Sequence, residues 1–344
     1  MAHVSGSSSH PLPLYLLDVG APLAELAAHD GNGVLAIITA VDGPSYRPVG
    51  AMMAFLANGQ QVGSLSSGCV EADLALHAKK ALKSGNPVTL RYGKGSPFFD
   101  IVLPCGGGLE ILLVPRPSLP RLQQAHNLHE TRQSFALAFN VITGLSHIAM
   151  ERQTGFHDGL FHVRIVPETR FLIFGKGTEA LIFAGLLHAA HYSAVLMSHD
   201  AETLLGAQNI GLRIQRIHES GFPEFITVDQ HTAAALFYHE HEREIPVLEQ
   251  LLCTNAFYIG AQGSLQARET RLRELVRRGV SPVELARLHG PIGLVRSARD
   301  PRTLAVSVLA EILEKMQKIG ETPPTSLLPS KDIGRYRDAA ASEA

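Results

Sequence analysis

Residues 171–180 read FLIFGKGTEA, and this stretch predicts the fold of the second half of the chain. An apolar run ends on the turn Gly175-Lys176-Gly177, and a helical pattern begins at Thr178. A strand that turns through glycines into a helix is typical of a nucleotide-binding Rossmann unit, because the helix N–H groups face an anion. Asp200, after the next predicted strand, would then hold a ribose. The alternative interpretation is a tight strand-to-helix turn that binds nothing.

Strand and helix patterns alternate through the rest of this half. The predicted strands are 171–174, 194–198, 232–238 and 256–259, and the predicted helices are 178–191, 244–252, 264–278 and 301–318. This alternation predicts a Rossmann-like, doubly wound parallel sheet over residues 169–320, followed by a flexible tail over 321–344. His239 and His241 follow one predicted strand and Gly260 follows another, at the sheet edge where ligands bind.

The first half has a different order of elements. Its predicted strands are 33–41, 51–56, 61–65, 88–92, 135–143 and 161–166, with a short helix at 23–28, a second helix at 72–83 and a third after Pro117. This order predicts a mixed α+β domain over residues 21–168, after a disordered tail over 1–20. Pro167-Glu168-Thr169 is the predicted boundary between the two domains.

Two turns of the first half combine glycine with cysteine. Gly68-Cys69-Val70-Glu71 precedes the helix at 72–83, and a helix N-terminus favours a thiolate. Cys105-Gly106-Gly107-Gly108 precedes a strand, and consecutive glycines can expose N–H groups as an anion nest. A buried structural cysteine and a bare turn are the alternatives. Two such turns in one domain favour a ligand site.

The composition excludes several classes of protein. The 30 Lys and Arg residues are balanced by 32 Asp and Glu, for a net charge of −2, so the basic excess of a nucleic-acid binder is missing. Three cysteines without a CxxC pair indicate neither a zinc ribbon nor a disulfide framework. The N-terminus does not resemble a signal peptide, and Lys176 and Glu179 interrupt the apolar run over 171–187, which is therefore not a membrane span. We therefore expect a cytoplasmic protein with no membrane partner.

Six ordered motifs together resemble the xanthine dehydrogenase accessory factor family, of the XdhC/CoxI type. They are DGPSYRPVGAMM (42–53), VGSLSSGCVEADL (62–74), PCGGGLEILL (104–113), LIFGKGTEA (172–180), YIGAQGS (258–264) and HGPIGLVRSARDP (289–301). The resemblance runs from about Gly33 to Glu311. The family's glycine turn usually reads GAGH, so the Gly175-Lys176-Gly177-Thr178 turn indicates an altered ligand preference.

The resemblance implies a cofactor chaperone rather than an enzyme. Proteins of this family assist the maturation of molybdenum hydroxylases, and they bind the molybdenum cofactor and promote its sulfuration and insertion. The implied cargo is molybdopterin or its dinucleotide form, whose phosphate suits glycine N–H groups. The implied partners are a xanthine dehydrogenase-like molybdenum hydroxylase and a cysteine desulfurase. We also expect a homodimer.

The site residues follow from the motifs and the resemblance together. In the first domain the candidate cofactor-binding residues are Arg47, Gly68, Cys69, Glu71, Cys105, Gly106 and Gly107, and Cys69 and Cys105 are also the candidate molybdenum ligands. In the second domain they are Gly175, Gly177, Thr178, Asp200, His239, His241 and Gly260. One competing hypothesis is an NAD(P)-dependent oxidoreductase that uses Asp200 for the ribose and His239 as acid or base. Another is an interaction module that docks an enzyme without a ligand.

Overall fold

The computed structural model describes residues 20–66, 68, 70–96, 103, 106–149, 152–217, 226–238 and 240–320. The chain forms two compact units, and the division between them falls between Glu168 and Thr169. In the part of the chain that the structure describes, every helix is too short or too polar to cross a membrane.

The first unit is built on a five-stranded antiparallel sheet. Its elements are α1 (Ala21–Ala28), β1 (Gly33–Asp42), β2 (Met52–Leu56), β3 (Gln61–Gly63), α2 (Glu71–Ser84), β4 (Val88–Gly93) and β5 (Gly108–Pro115). The strand order is β3-β2-β1-β5-β4, and each neighbouring pair is antiparallel. The mixed α+β class predicted for this half is therefore confirmed.

This sheet is covered on both faces, which explains why β1 has no polar alternation. Leu35 and Ile37 lie in a core with α1, while Val34 and Ala36 lie in a separate core with α2. A strand that is buried on both faces needs apolar side chains at consecutive positions. The run GVLAIITAV predicts a buried strand for this reason.

A second, four-stranded sheet contributes to the α1 core. The remaining elements of the unit are α3 (Leu119–Glu130), β6 (Phe135–Phe139), β7 (Ser146–Ala149), β8 (Gly155–His157) and β9 (Leu160–Ile165), and the strand order is β7-β6-β9-β8. The predicted strand over 135–143 is too long. β6 ends at Phe139 because the Asn140 side chain accepts hydrogen bonds from the N–H groups of Ile142 and Thr143, each at 3.0 Å, and so forms a turn.

The second unit is a doubly wound sheet, as predicted. Its elements are β10 (Arg170–Gly175), α4 (Gly177–Ala189), β11 (Ser193–Ser198), α5 (Ala201–Asn209), β12 (Arg213–Arg216), β13 (Thr232–Phe237), α6 (His241–Leu252), β14 (Tyr258–Ala261), α7 (Leu265–Arg277), α8 (Pro282–Leu285), β15 (Leu288–His289) and α9 (Pro301–Gly320). The strand order is β12-β11-β10-β13-β14-β15, and every pair is parallel. This order is that of a Rossmann fold, with its switch point between β10 and β13.

Helices cover both faces of this sheet. Phe183 of α4 and Val308 of α9 pack on one face, and Leu248 of α6 and Leu275 of α7 pack on the other. Sequence patterns missed α5 and β12. The β12 sequence RIQR lies at the sheet edge without a buried residue, so it lacks the apolar run that marks the central strands.

Candidate functional site

The candidate residues of the first unit lie on connections that leave one edge of the five-stranded sheet. Asp42, the last residue of β1, pairs with Gly108, the first of β5, and Gly108 also pairs with Gly93, the last of β4. At the same end, β2 begins at Met52, and the end of β3, Gly63, pairs with Met53. The β1–β2, β3–α2 and β4–β5 connections therefore share this edge, which we call the loop edge.

The three connections carry the residues that the sequence singled out in this unit. Arg47 lies on the first connection, Gly68 on the second and Gly106 on the third. Cys69 and Cys105 are outside the described residues, so their ligand roles stay predictions. Among the described residues, no group of three or more His, Cys, Asp or Glu side chains is arranged to hold a metal ion.

Glu71 organises the connection that precedes it. Its carboxylate accepts hydrogen bonds from the N–H groups of Ser66 at 2.7 Å, Leu65 at 3.1 Å and Val70 at 3.2 Å, and from the Ser66 hydroxyl. Burial raises the pKa of Glu71, but the hydrogen bonds from Ser66 and Leu65 outweigh it and hold the pKa below its ordinary value. The carboxylate therefore shapes the loop at Gly68 and has few lone pairs left for a ligand.

The glycines of the loop edge serve different purposes. Gly68 has φ +100° and Gly106 has φ +69°, and a side chain at either position would meet no atom of the described residues within 4 Å, its chain neighbours aside. These two positions need glycine for the backbone conformation, and open space lies beside them. A side chain at Gly107 would instead lie 2.4 Å from the carbonyl oxygen of Pro44. Gly107 thus lets the β4–β5 connection pack tightly against the β1–β2 connection.

Arg47 is half-buried and carries an unusual feature. Its Nε is buried and has no hydrogen-bond partner. The carboxylate of Asp42, at the start of the same connection, is engaged by Arg91 at 3.3 Å and by Lys94 at 3.9 Å. Asp42 is therefore not the partner of the Arg47 guanidinium.

The second candidate region is the crevice at the carboxyl ends of β10, β11 and β13. Gly175 ends β10 with φ +148°, and a side chain there would lie 2.4 Å from the carbonyl oxygen of Phe237. Gly177 has φ +81° with open space beside it, and its N–H donates to the Thr203 hydroxyl at 2.9 Å. Thr178 is exposed in the first turn of α4, where backbone N–H groups lack an intrahelical acceptor.

Asp200 acts as the N-cap of α5. Its Oδ2 accepts hydrogen bonds from the Thr203 N–H at 2.8 Å and from the Thr203 hydroxyl at 2.6 Å. These bonds from Thr203 lower the pKa of Asp200. The predicted ribose contact would compete with this cap. An Asp followed by Thr three residues later, ahead of an apolar pattern, was the missed signal for the start of α5.

A cluster of charged side chains occupies the switch point. Lys176 forms an ion pair with Glu240, Arg243 Nε lies 3.4 Å from Glu240 Oε2, and His199 Nε2 lies 4.0 Å from the same oxygen. The hydrogen bond from Lys176 is the main cause of the lowered pKa of Glu240. Burial, followed by the charge of Arg243, lowers the pKa of His199, whose ring stacks on Tyr238. Sequence patterns do not predict this cluster, because its members are far apart in the chain.

His239, His241 and Gly260 are the remaining candidate residues of the second unit. His239 lies outside the described residues, and His241 is the first residue of α6. Gly260 lies inside β14, where a side chain would sit 2.6 Å from the Tyr258 ring and 2.7 Å from Ile292. It is therefore a close-packing position in the sheet, and Gly263, with φ +141°, is the glycine of the following turn.

Comparisons with known proteins cover both units. Residues 26–93 match the model described as "XdhC and CoxI family", and residues 171–312 match the "XdhC Rossmann domain". The chain is 34% identical over 288 residues to the molybdenum cofactor insertion chaperone PaoD of Escherichia coli (strain K12), covering 83% of this chain and 84% of that protein. It is 24% identical to a protein of Bacillus subtilis (strain 168) that is named as a probable xanthine dehydrogenase component, over 84% of this chain and 94% of that one.

A solved structure shares the fold. A crystal structure described as a xanthine dehydrogenase from Bacillus halodurans superposes with a TM-score of 0.69 at 23% sequence identity. The match covers 89% of this chain and 97% of that chain.

Proposed function

The chain belongs to the XdhC and CoxI family, and on this premise we propose that it is a chaperone for the molybdenum cofactor. In this role it binds the cofactor as cargo and assists its sulfuration and its insertion into a xanthine dehydrogenase-like enzyme. The observation that carries the proposal is the loop edge, where connections with Arg47, Gly68 and Gly106 leave the sheet together. The relative named as a molybdenum cofactor insertion chaperone supports it.

The chemistry of the loop edge fits such a cargo. Cys69 follows Gly68 and Cys105 precedes Gly106 in the sequence, and thiolates are soft ligands for molybdenum or relays for sulfur. The glycines leave open space beside the backbone, and Arg47 offers a cation without an internal partner. In the second unit, we propose that the crevice at Gly175, Gly177 and Thr178 holds a nucleotide phosphate near Lys176.

The proposed partners follow from this role. A molybdenum hydroxylase would receive the cofactor, and a cysteine desulfurase would supply the sulfur. We propose that the chain acts in the cytoplasm as a homodimer. Size-exclusion chromatography with light scattering of the purified chain, alone and with each purified partner, measures all three associations.

The central experiment measures cofactor binding. Purified protein is incubated with molybdenum cofactor, and the bound fraction is quantified after separation from free cofactor. We expect the Cys69→Ala/Cys105→Ala double variant to lose most of the binding. The Cys253→Ala variant is the matched control, since Cys253 is an exposed free cysteine of the second unit. Equal binding by the wild type and the double variant would reject the cysteine role, and no binding by the wild type would reject the function.

A second candidate function is an NAD(P)-dependent oxidoreductase. The Rossmann strand order, with the switch point beside Gly175 and Gly177, favours it. The N-cap role of Asp200 disfavours it, because the carboxylate that would hold the ribose is engaged by Thr203. Titration with NADH, followed by nicotinamide fluorescence, tests it. Binding that is lost in Asp200→Ala would support the oxidoreductase, whereas the chaperone proposal expects no nicotinamide turnover.

A further inference from the structure

We propose that Arg47 is the phosphate anchor of the loop edge, so that this site takes a ligand through a phosphate group. The inference rests on the proposed function for the identity of the cargo. It goes further by assigning one residue and one chemical group to the recognition step. Four features of the first unit support it.

The first feature is the unpaired guanidinium group. Arg47 Nε is sealed from solvent and lacks a hydrogen-bond partner, while the side chain as a whole is half-buried. No hydrogen bond or ion pair joins the guanidinium to any residue within the described ranges. A buried cationic donor without an acceptor is costly, and such groups are rare in folded proteins unless an ion, water or ligand completes them.

The second feature is that two carboxylates of the loop edge that the structure describes, those of Asp42 and Glu71, are already engaged. Asp42 pairs with Arg91 and Lys94. Glu71 accepts its hydrogen bonds from residues 64–70, the connection that it organises. These two acidic groups therefore leave the Arg47 guanidinium to an external anion.

The third feature is a backbone that is held in place without a ligand. The Ser45 hydroxyl donates to the Arg47 carbonyl at 2.8 Å and accepts from the Arg47 N–H at 3.3 Å. Further along, the Gly50 N–H donates to the Ile38 carbonyl at 2.8 Å. At its start, the same connection packs against Gly107. A side chain carried by a pinned loop loses less entropy on binding, which favours affinity.

The fourth feature is the open space beside Gly106 in the β4–β5 connection. Through Gly107, that connection packs against the β1–β2 connection, which carries Arg47. Gly106 is left-handed and has open space where a side chain would lie, so a ligand can approach the main chain there. The Gly106 N–H donates to the Leu103 carbonyl at 2.9 Å, so this turn offers a ligand open space rather than a free N–H at Gly106. A guanidinium fork can bind a phosphate through two parallel hydrogen bonds, and the tetrahedral phosphate still has oxygens that point into the open space beside Gly106.

Pyrophosphate is the probe for this proposal, used at low ionic strength because salt screens exposed charges. Isothermal titration calorimetry measures its affinity, with acetate as the carboxylate comparison. We expect pyrophosphate to bind the wild type, and Arg47→Gln to weaken it by about tenfold or more, since a charge-assisted hydrogen bond is lost. Arg47→Lys should give an intermediate affinity, because it keeps the charge without the fork. Arg121→Gln, which removes an exposed arginine from α3, should bind like the wild type.

Thermal unfolding separates recognition from folding. We expect Arg47→Gln without phosphate to be at least as stable as the wild type, because its guanidinium makes no hydrogen bond to the protein that the structure describes and its buried donor is costly. Pyrophosphate should raise the melting temperature of the wild type, through ligand linkage, and at the same concentration raise that of Arg47→Gln clearly less. A variant that melts earlier without ligand and still responds to pyrophosphate would overturn the proposal.

Three further outcomes decide where the phosphate binds and which ligand it belongs to. If Lys176→Gln abolishes pyrophosphate binding and Arg47→Gln does not, the anion binds in the Rossmann crevice and the proposal is wrong. If molybdenum cofactor binds wild type and Arg47→Gln equally, the anchor is wrong while the proposed function stands. If pyrophosphate binds through Arg47 but molybdenum cofactor does not bind, the proposed function fails while the anchor stands.

Discussion

The buried ion pair between Arg271 and Glu244 offers the sharpest test of how the Rossmann crevice is held together. Both side chains are only 1% exposed, and Arg271 Nε donates to Glu244 Oε2 at 2.9 Å. A second guanidinium nitrogen donates to the Gln262 carbonyl oxygen at 2.7 Å. Since Glu244 lies on α6 and Gln262 follows β14, Arg271 of α7 ties together two segments near the carboxyl edge of the sheet.

The perturbation is Arg271→Met, which removes the charge and keeps much of the side-chain volume. At 2.9 Å the two charges attract by about 6 kcal/mol for an effective dielectric constant of about 20, and desolvation offsets much of this gain. Removing only the cation leaves a buried carboxylate, which costs about 3–5 kcal/mol. Folded domains are stable by only about 5–15 kcal/mol, so the loss should be large. The double variant Arg271→Met/Glu244→Met should recover most of it, because an apolar pair needs no counter-charge.

The assay is urea denaturation of the four members of this double-mutant cycle. The control is Arg273→Met, an exposed arginine of the same helix, which should change the free energy of unfolding by less than about 0.5 kcal/mol. A loss of less than about 1 kcal/mol in Arg271→Met, or a double variant as unstable as the single one, would show that the buried pair does not hold these segments together.

Three other predictions follow from the glycine turn, the loop edge and the second sheet. Gly177→Ala should lower the free energy of unfolding by about 1–2 kcal/mol, because alanine disfavours the left-handed backbone of Gly177. Gly175→Ala should lower it clearly more, since its methyl group would also clash with the Phe237 carbonyl. Thermal unfolding of the two variants measures the difference. Glu71→Gln should destabilise the β3–α2 connection by about 1–3 kcal/mol, seen as faster amide exchange at residues 65–70. The lowered pKa of Glu71 means that its stabilisation is present above about pH 4.5 and is lost as the pH falls through the lower folded-state pKa. Burial lowers the pKa of His162, so on acidification the unfolded chain takes up a proton before the folded one does. Below about pH 6.5 the free energy of unfolding should therefore fall by up to about 1.4 kcal/mol per pH unit. Urea denaturation at several pH values should show a flatter slope for His162→Gln, and an unchanged slope would contradict this role of His162.

Local patterns carried much of the fold prediction. The apolar run before Gly175 and the alternation after it predicted the doubly wound sheet, because strand and helix periodicity are properties of neighbouring residues. The same logic placed β1, whose apolar run reflects burial on two faces. It failed at β12, an edge strand without a buried residue, and at α5, although Asp200 is a residue type that commonly caps a helix start.

The candidate site was predicted less completely. Motif order indicated which residues of the first half belong together. The roles of Asp200, Gly260 and Glu71, however, depend on contacts that the motifs do not show. Asp200 caps a helix through Thr203, and Gly260 packs under Tyr258 inside a strand. The organising role of Glu71 required the positions of the N–H groups around it.

Residue type and spacing were enough to predict the family, the order of most of the elements and the glycines that turn the chain. Only the folded chain shows that Lys176 pairs with Glu240, which is 64 residues away in the sequence. It also shows that the connection carrying Arg47 packs against Gly107 and leaves the Arg47 Nε buried and unpaired. Pairing and burial depend on the distance between side chains in space. That distance is set by the register of the sheet strands and not by the separation of the residues in the sequence. The turn at Gly175-Lys176-Gly177 was therefore visible in the sequence, while the charges that face it were not.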